Sequence, residues 1–357
     1  MRANGRFIAN RGFSIVELMV AITLGLIVLA AVSTVFVSSK ANYITQDSMA
    51  RLQESARVAM HLISRDVRMA GHYGCVDDVE NINNVLAGDG GFAFDFEVAV
   101  EGTEGDTGLW YPSNVATNFP ASGTSVTSKV VGCPNYVGGK CTGTDAIAVR
   151  MADSSSIALT AAMPNTAAAL FVAPNSGLRI GDVVLVADCG SADLFQITNV
   201  QAGTGGNSGR QAIVHNGGNR GINGEALSPG NKTPAPLGRT YSPPGAGIMK
   251  FVQRAYYVGT GASGQPALFR QNLDGSGREE LVEGIQDMQV SFGTATSGDR
   301  TPRMYLPAND GVLGADPTRW TNVVSARVTF TSRPVTEGAP KVEPKLFTST
   351  FLMRNLQ

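Results

Sequence analysis

The chain opens with a short basic leader, Met1 to Gly12, that runs without a break into Phe13-Ser14-Ile15-Val16-Glu17 and about twenty mostly apolar residues, Leu18 to Val37. At roughly 1.5 Å per residue this run makes a helix of about 30 Å, the thickness of the hydrocarbon core of a bilayer. Such a segment cannot be satisfied in water, so it dictates where the chain lives. Arg2, Arg6 and Arg11 all precede it. Positive charge stays on the cytoplasmic side, which places the bulk of the chain across the membrane.

Glu17 does not belong in an ordinary span. A carboxylate inside one costs on the order of 3 kcal/mol at the centre and less near the end, so it asks for a partner. Cutting between Gly12 and Phe13 creates one, because the new amino terminus then lies four residues from Glu17. An ammonium and a carboxylate neutralise one another at low dielectric, within one chain or between neighbours. A secretory signal peptide is the competing reading, with Ala30, Ala31 and Ser33 as small residues for cleavage. Its apolar stretch is normally only about 7 to 15 residues, shorter than this one. A plain membrane anchor leaves Glu17 unexplained.

The residues Arg11-Gly12-Phe13-Ser14-Ile15-Val16-Glu17-Leu18-Met19-Val20 resemble the class III signal of type IV prepilins and type II secretion pseudopilins. The resemblance implies cleavage after Gly12, methylation of the Phe13 amine and an assembly role for Glu17. Major pilins usually carry a proline where this chain has Thr34, and its absence argues against a bulk filament subunit.

The helical pattern continues past the span. Met49, Leu52, Ala56, Ala59, Ile63, Val67 and Ala70 recur at spacings of three and four, while Arg51, Gln53, Glu54, Arg57, Arg65, Asp66 and Arg68 take the other faces. No Pro or Gly interrupts the stretch from Leu26 to Ala70, and Gly71 and Gly74 supply a stop. Beyond it, Gly and Pro number 42 and 17 of 357 residues, about 16% against a usual 12%, which indicates many turns. Nine short runs read as strands: Asp145–Arg150, Asp182–Val186, Leu194–Thr198, Gln211–Val214, Lys250–Val258, Ala267–Arg270, Met288–Phe292, Val323–Thr331 and Phe347–Met353. Gly203 to Gly247 reads as long surface loops around one strand.

The expected fold class is α+β: a long transmembrane and amphipathic N-terminal helix packed on an antiparallel β-rich domain of pilin-like or J-type pseudopilin kind. The chain divides into a leader, 1–12, a helix, 13–70, and a globular domain, 71–357; within the helix, 13–37 is the transmembrane and assembly half and 38–70 the amphipathic half.

Several blocks further resemble minor pilins of the PilW type. They are Arg51-Leu52-Gln53-Glu54 with Leu62 to Gly71, Asp188 to Phe195, Glu280 to Met288, and Phe347 to Asn355. Residues 77–134 and 203–247 resemble nothing comparable. A J-type minor pseudopilin is the related alternative. The resemblance implies a role in starting pilus assembly within a priming complex at the tip. Implied partners are other minor pilins, the major pilin, the prepilin peptidase, the inner-membrane platform protein and a tip adhesin. The implied location is the inner membrane with a periplasmic domain, and the fibre tip after assembly.

Cys75, Cys133, Cys141 and Cys189 all lie beyond the span. An even count on the oxidising side points to disulfides, with three connectivities open. Cys133 and Cys141 flank Pro134, Gly138 and Gly139, which favours a local pair worth about 2.5 kcal/mol by loop closure. Cys75 then ties the helix exit to Cys189.

Other patterns carry less. Gly259, Gly261 and Gly264 fit a nucleotide-binding spacing, but Gln265-Pro266 and a strand-like run follow where a helix must begin, so a hairpin loop is expected. Asn272, Asp274, Ser276, Gly277 and Glu283 match a calcium loop only loosely and read as a turn. The three histidines, His61, His72 and His215, form no catalytic or metal motif. No cofactor, metal or enzymatic role is expected. The net charge of −1 becomes −4 when the leader's three arginines are lost, so no direct nucleic-acid contact is expected either.

Overall fold

The computed structural model of the chain describes residues 13–76, 78–105, 109–111, 115–116, 135–137, 140–274, 276–296, 299, 301–311, 313, 317–333 and 343–353. Its first element is one unbroken α-helix, Ile15–Met69, of 55 residues and about 80 Å. Thr34, in place of a breaker, turns its hydroxyl back onto the Ala31 carbonyl at 2.8 Å. Gly71 and Gly74 follow with φ of 75° and 80°, left-handed conformations that residues with a Cβ resist.

All nine expected runs lie in strands, shifted by a few residues at their ends. The long central strand, Gly247–Thr260, organises the larger sheet. Its first part pairs with Val183–Ala187 and Ile157–Ala161, and its second part with Ala146–Ala152 and Pro266–Asn272, all antiparallel. Gly261 to Gly264 fall in the turn that joins it to Pro266–Asn272, with Thr260 opposite Pro266, so the glycine spacing is a hairpin, as expected. One short parallel pair, Ile82–Asn84 beside Ala192–Gln196, departs from the antiparallel rule. A separate four-stranded sheet runs in the order Met304–Leu306, Ile285–Thr294, Val323–Ser332, Lys345–Leu352.

Residues 203–247 hold more structure than expected. Besides Gln211–Val214 they contain the hairpin Gly218–Arg220 with Ala226–Asn231, and the central strand begins at Gly247. The sequence pattern fails here because Gly-Asn and Ser-Pro-Gly are turn-formers. What orders them is Asn231, whose side chain accepts from the Gln196 N–H at 2.7 Å and donates to the Gln196 carbonyl at 2.8 Å.

The helix exit is fastened at once. The Gly71 N–H donates to the Arg150 carbonyl at 3.0 Å, and Cys75 is bonded to Cys189 across 114 residues, with their Cα atoms 4.8 Å apart. Cys189 sits in the turn Asp188–Ser191, which Asp188 closes by accepting from the Gly190 and Ser191 N–H groups. Cys133 lies outside the described residues, and with it the expected pairing to Cys141. Closing the 114-residue loop between Cys75 and Cys189 contributes about 5 kcal/mol. A Cys75→Ser, Cys189→Ser variant should therefore melt well below the parent, and native peptide mapping should recover the two cysteines joined. Alkylation of Cys75 in the unreduced native chain would contradict the bond.

Candidate functional site

The site begins at the helix start. Phe13 is 86% exposed, and Gly12 lies outside the described residues. Ser14 is the N-cap: the Val16 N–H donates to its Oγ at 3.4 Å, while its own N–H donates to Glu17 Oε2 at 3.4 Å. This is a capping box, and Ser14-Ile15-Val16-Glu17 is its S-x-x-E signature. The signature is present in the sequence but lies beside a charge that draws attention to the amino terminus instead. An ionised carboxylate has about four acceptor sites, so one local bond leaves capacity for an ammonium group.

From Phe13 to Val37 every large apolar side chain is at least half exposed. The stretch is long and apolar enough to cross a membrane, and none of the described residues folds back to cover it. A bare apolar surface of this extent marks a membrane or subunit contact.

The second half of the helix docks on the domain. Ser48, Leu52, Ala56, Ala59, Ile63, Asp66 and Val67 are buried. They face Lys345–Leu352, Glu279–Glu283, Val323–Ser332 and Ala146–Ala152. Two expectations need correction. Met49 is only half-buried and Ser48 takes the inner position. Asp66, assigned to the polar face, is 2% exposed. Its spacing of seven from Ala59 and three from Ile63 does place it on the inner stripe; only its charge argued otherwise.

What admits Asp66 is a set of partners supplied by the central strand. Arg254 Nη1 lies 2.9 Å and the Tyr256 hydroxyl 2.6 Å from its Oδ2, with Arg65 Nε 3.6 Å from Oδ1. Burial, and then the Asp66 charge, push the ionisation of Tyr256 upward, so its hydroxyl stays protonated and donates. The cluster fixes both the depth and the rotation of the helix on the sheet.

A second buried charge holds the segment that follows. Arg150 and Glu101 pair at 2.7 Å with both side chains fully buried. Arg150 also donates to the Val98 carbonyl at 2.8 Å, reaches those of Phe92 and Ala93, and lies over the Phe92 ring. Its fork is thereby filled by the loop at 92–98. Sequence reasoning gave Arg150 only a place in a strand, since nothing local signals a carboxylate 49 residues away.

His61 is exposed, His72 half-buried and His215 buried. Both ring nitrogens of His215 rest on backbone carbonyls, of Ala235 and Ala168. In the turn at 272–283, Asp274 Oδ1 accepts from the N–H and hydroxyl of Ser276. Among the described residues no group of three or more His, Cys, Asp or Glu is placed to hold a metal ion.

Comparison with known families falls on these same parts. Residues 9–33 match the prokaryotic N-terminal methylation motif, and residues 255–354 match the family of type IV pilus-assembly protein W, PilW. The chain is prepilin-like at its start and PilW-like in its helix-docking region. No curated protein and no solved structure matches it. The PilW-matched segment holds the second part of the central strand, the following hairpin and the whole four-stranded sheet. Three of the four strands that receive the helix lie inside it, as does Tyr256. The match thus covers most of the platform on which the helix sits.

Proposed function

We propose that this chain is a minor pilin of the PilW type that helps to initiate type IV pilus assembly and forms part of a priming complex at the fibre tip. The observation that carries the reading is the pairing of a bare apolar helix half, headed by a methylation motif, with a PilW-matched platform that grips the other half. The work is done by packing, with no reaction at the chain itself. The apolar half buries against neighbouring helices after leaving the inner membrane. Glu17 sets register by meeting the methylated Phe13 amine of a neighbour, and the β-rich domain, periplasmic before assembly, docks other minor pilins. Prepilin peptidase, the platform protein, the major pilin and a tip adhesin complete the set of partners.

Processing gives the direct test. The mature chain should begin at Phe13 with a methylated amine, read by mass spectrometry of its N-terminal peptide, and should occur in sheared fibres at a small fraction of the major subunit. A mature start near Ser33 would instead identify an ordinary secreted protein.

A further inference from the structure

Lys345–Leu352 is the edge of the four-stranded sheet. It pairs on one side with Val323–Ser332 in unbroken register, from Ser332 opposite Lys345 to Ser325 opposite Leu352. Among the described residues no strand pairs with its other side. The Met353 N–H donates to the Val324 carbonyl at 3.0 Å. By the alternation of an antiparallel ladder, Phe351, Ser349 and Phe347 then bond inward, while Leu346, Thr348, Thr350 and Leu352 direct their N–H and C=O groups outward. Those four residues also carry the exposed side chains, with Leu346 71% and Leu352 53% exposed.

Natural sheets shorten, charge or cover such edges. Other outer strands of this molecule follow that rule. Met304–Leu306 has three residues, Asn199–Ala202 four, and Glu279–Glu283 five with three glutamates. Lys345–Leu352 has eight residues and one charge, at its first position.

Its sequence shows what fits it. Leu346-Phe347-Thr348-Ser349-Thr350-Phe351-Leu352 reads identically in both directions. We propose that this edge pairs with the same edge of a second copy of the chain, antiparallel, about a dyad through Ser349. Leu346 then faces Leu352 of the other copy, Phe347 faces Phe351, Thr348 faces Thr350, and Ser349 faces itself. An isologous contact demands such reciprocity, and like pairs of threonine and of aromatic residues are favourable cross-strand neighbours. The outward-bonding residues meet one another, giving about eight new backbone hydrogen bonds. Lys345 falls opposite Met353, so no like charges meet. A dyad on another residue satisfies the ladder equally, but only Ser349 sets like against like along the whole run.

The dyad stands perpendicular to the sheet and reverses directions within its plane. The helix packed on that sheet therefore leaves the two copies in opposite directions. The pairing suits chains displayed on two facing surfaces, and not two chains side by side in one membrane. It goes beyond the role in fibre assembly and does not depend on it.

The test uses full-length chains carrying two different tags, purified separately in detergent and mixed under mild oxidation. Residues at a non-hydrogen-bonded dyad have Cα atoms about 4.5 Å apart, within disulfide reach. Ser349→Cys should form a mixed-tag dimer about tenfold more than Thr348→Cys, although position 348 is the more exposed. Thr350→Pro removes an outward N–H and no inward one, and should abolish the dimer when added to Ser349→Cys without lowering the melting temperature much. No mixed dimer at Ser349→Cys, equal yields at the two positions, or a dimer insensitive to Thr350→Pro would each overturn the proposal.

Discussion

Glu17→Ala should leave leader cleavage and membrane insertion intact and reduce recovery in fibres by about tenfold or more. Removing a carboxylate makes the span more apolar, so insertion improves. What is lost is the neutralising contact for a neighbour's buried ammonium, and a buried charge left unpaired costs several kcal/mol. The capping box adds a local loss of about 1 kcal/mol at the helix start. Two further variants separate these effects. Glu17→Gln keeps a side-chain oxygen for the Ser14 N–H but no charge, and should assemble as poorly as Glu17→Ala. Ser14→Ala loses the cap oxygen but keeps the charge, and should assemble nearly normally. The ratio of processed protein in membranes to protein in sheared fibres reads all three. Normal incorporation of Glu17→Ala would mean that contacts of the β-rich domain alone recruit the subunit.

Arg150→Met should destabilise the domain by about 3 to 5 kcal/mol, the usual consequence of stranding one member of a buried ion pair. The carbonyls of Phe92, Ala93 and Val98 lose their donor as well. Adding Glu101→Leu should restore part of the loss, because a pair removed whole costs less than a pair broken. Denaturant unfolding at neutral pH measures both. A loss below about 1 kcal/mol for Arg150→Met would show that water reaches Glu101 readily.

The parts of this molecule that were legible in its sequence are those governed by local rules. A basic leader, an apolar run and a heptad-like stripe specify the helix to within a residue or two, because each reports a periodicity the backbone must satisfy. The nine strand runs were legible from their β-rich composition between turn-formers. Asp66 was misplaced because its burial is licensed by Arg254 and Tyr256, some 190 residues away. The same holds for Asn231, which orders a glycine-rich stretch through Gln196. Ser14 differs, since its capping signature was present and lay unused beside a more conspicuous charge.

The attachment of the helix carries a mechanical consequence. The chain leaves the helix at Met69 and is covalently stopped at Cys75, joined to Cys189 in the turn beside Val183–Ala187. A pull along the stem is resisted first by the Asp66 cluster, and any slack beyond it ends within six residues of Met69. Tension therefore enters the larger sheet through a sulfur bridge to the strand beside Gly247–Thr260, and the residues between 75 and 189 are by-passed. Under load the segment that includes the loop at 92–98 is a branch in parallel with a short covalent path, so a pull on the stem tugs on the domain without unravelling it from its N-terminal end.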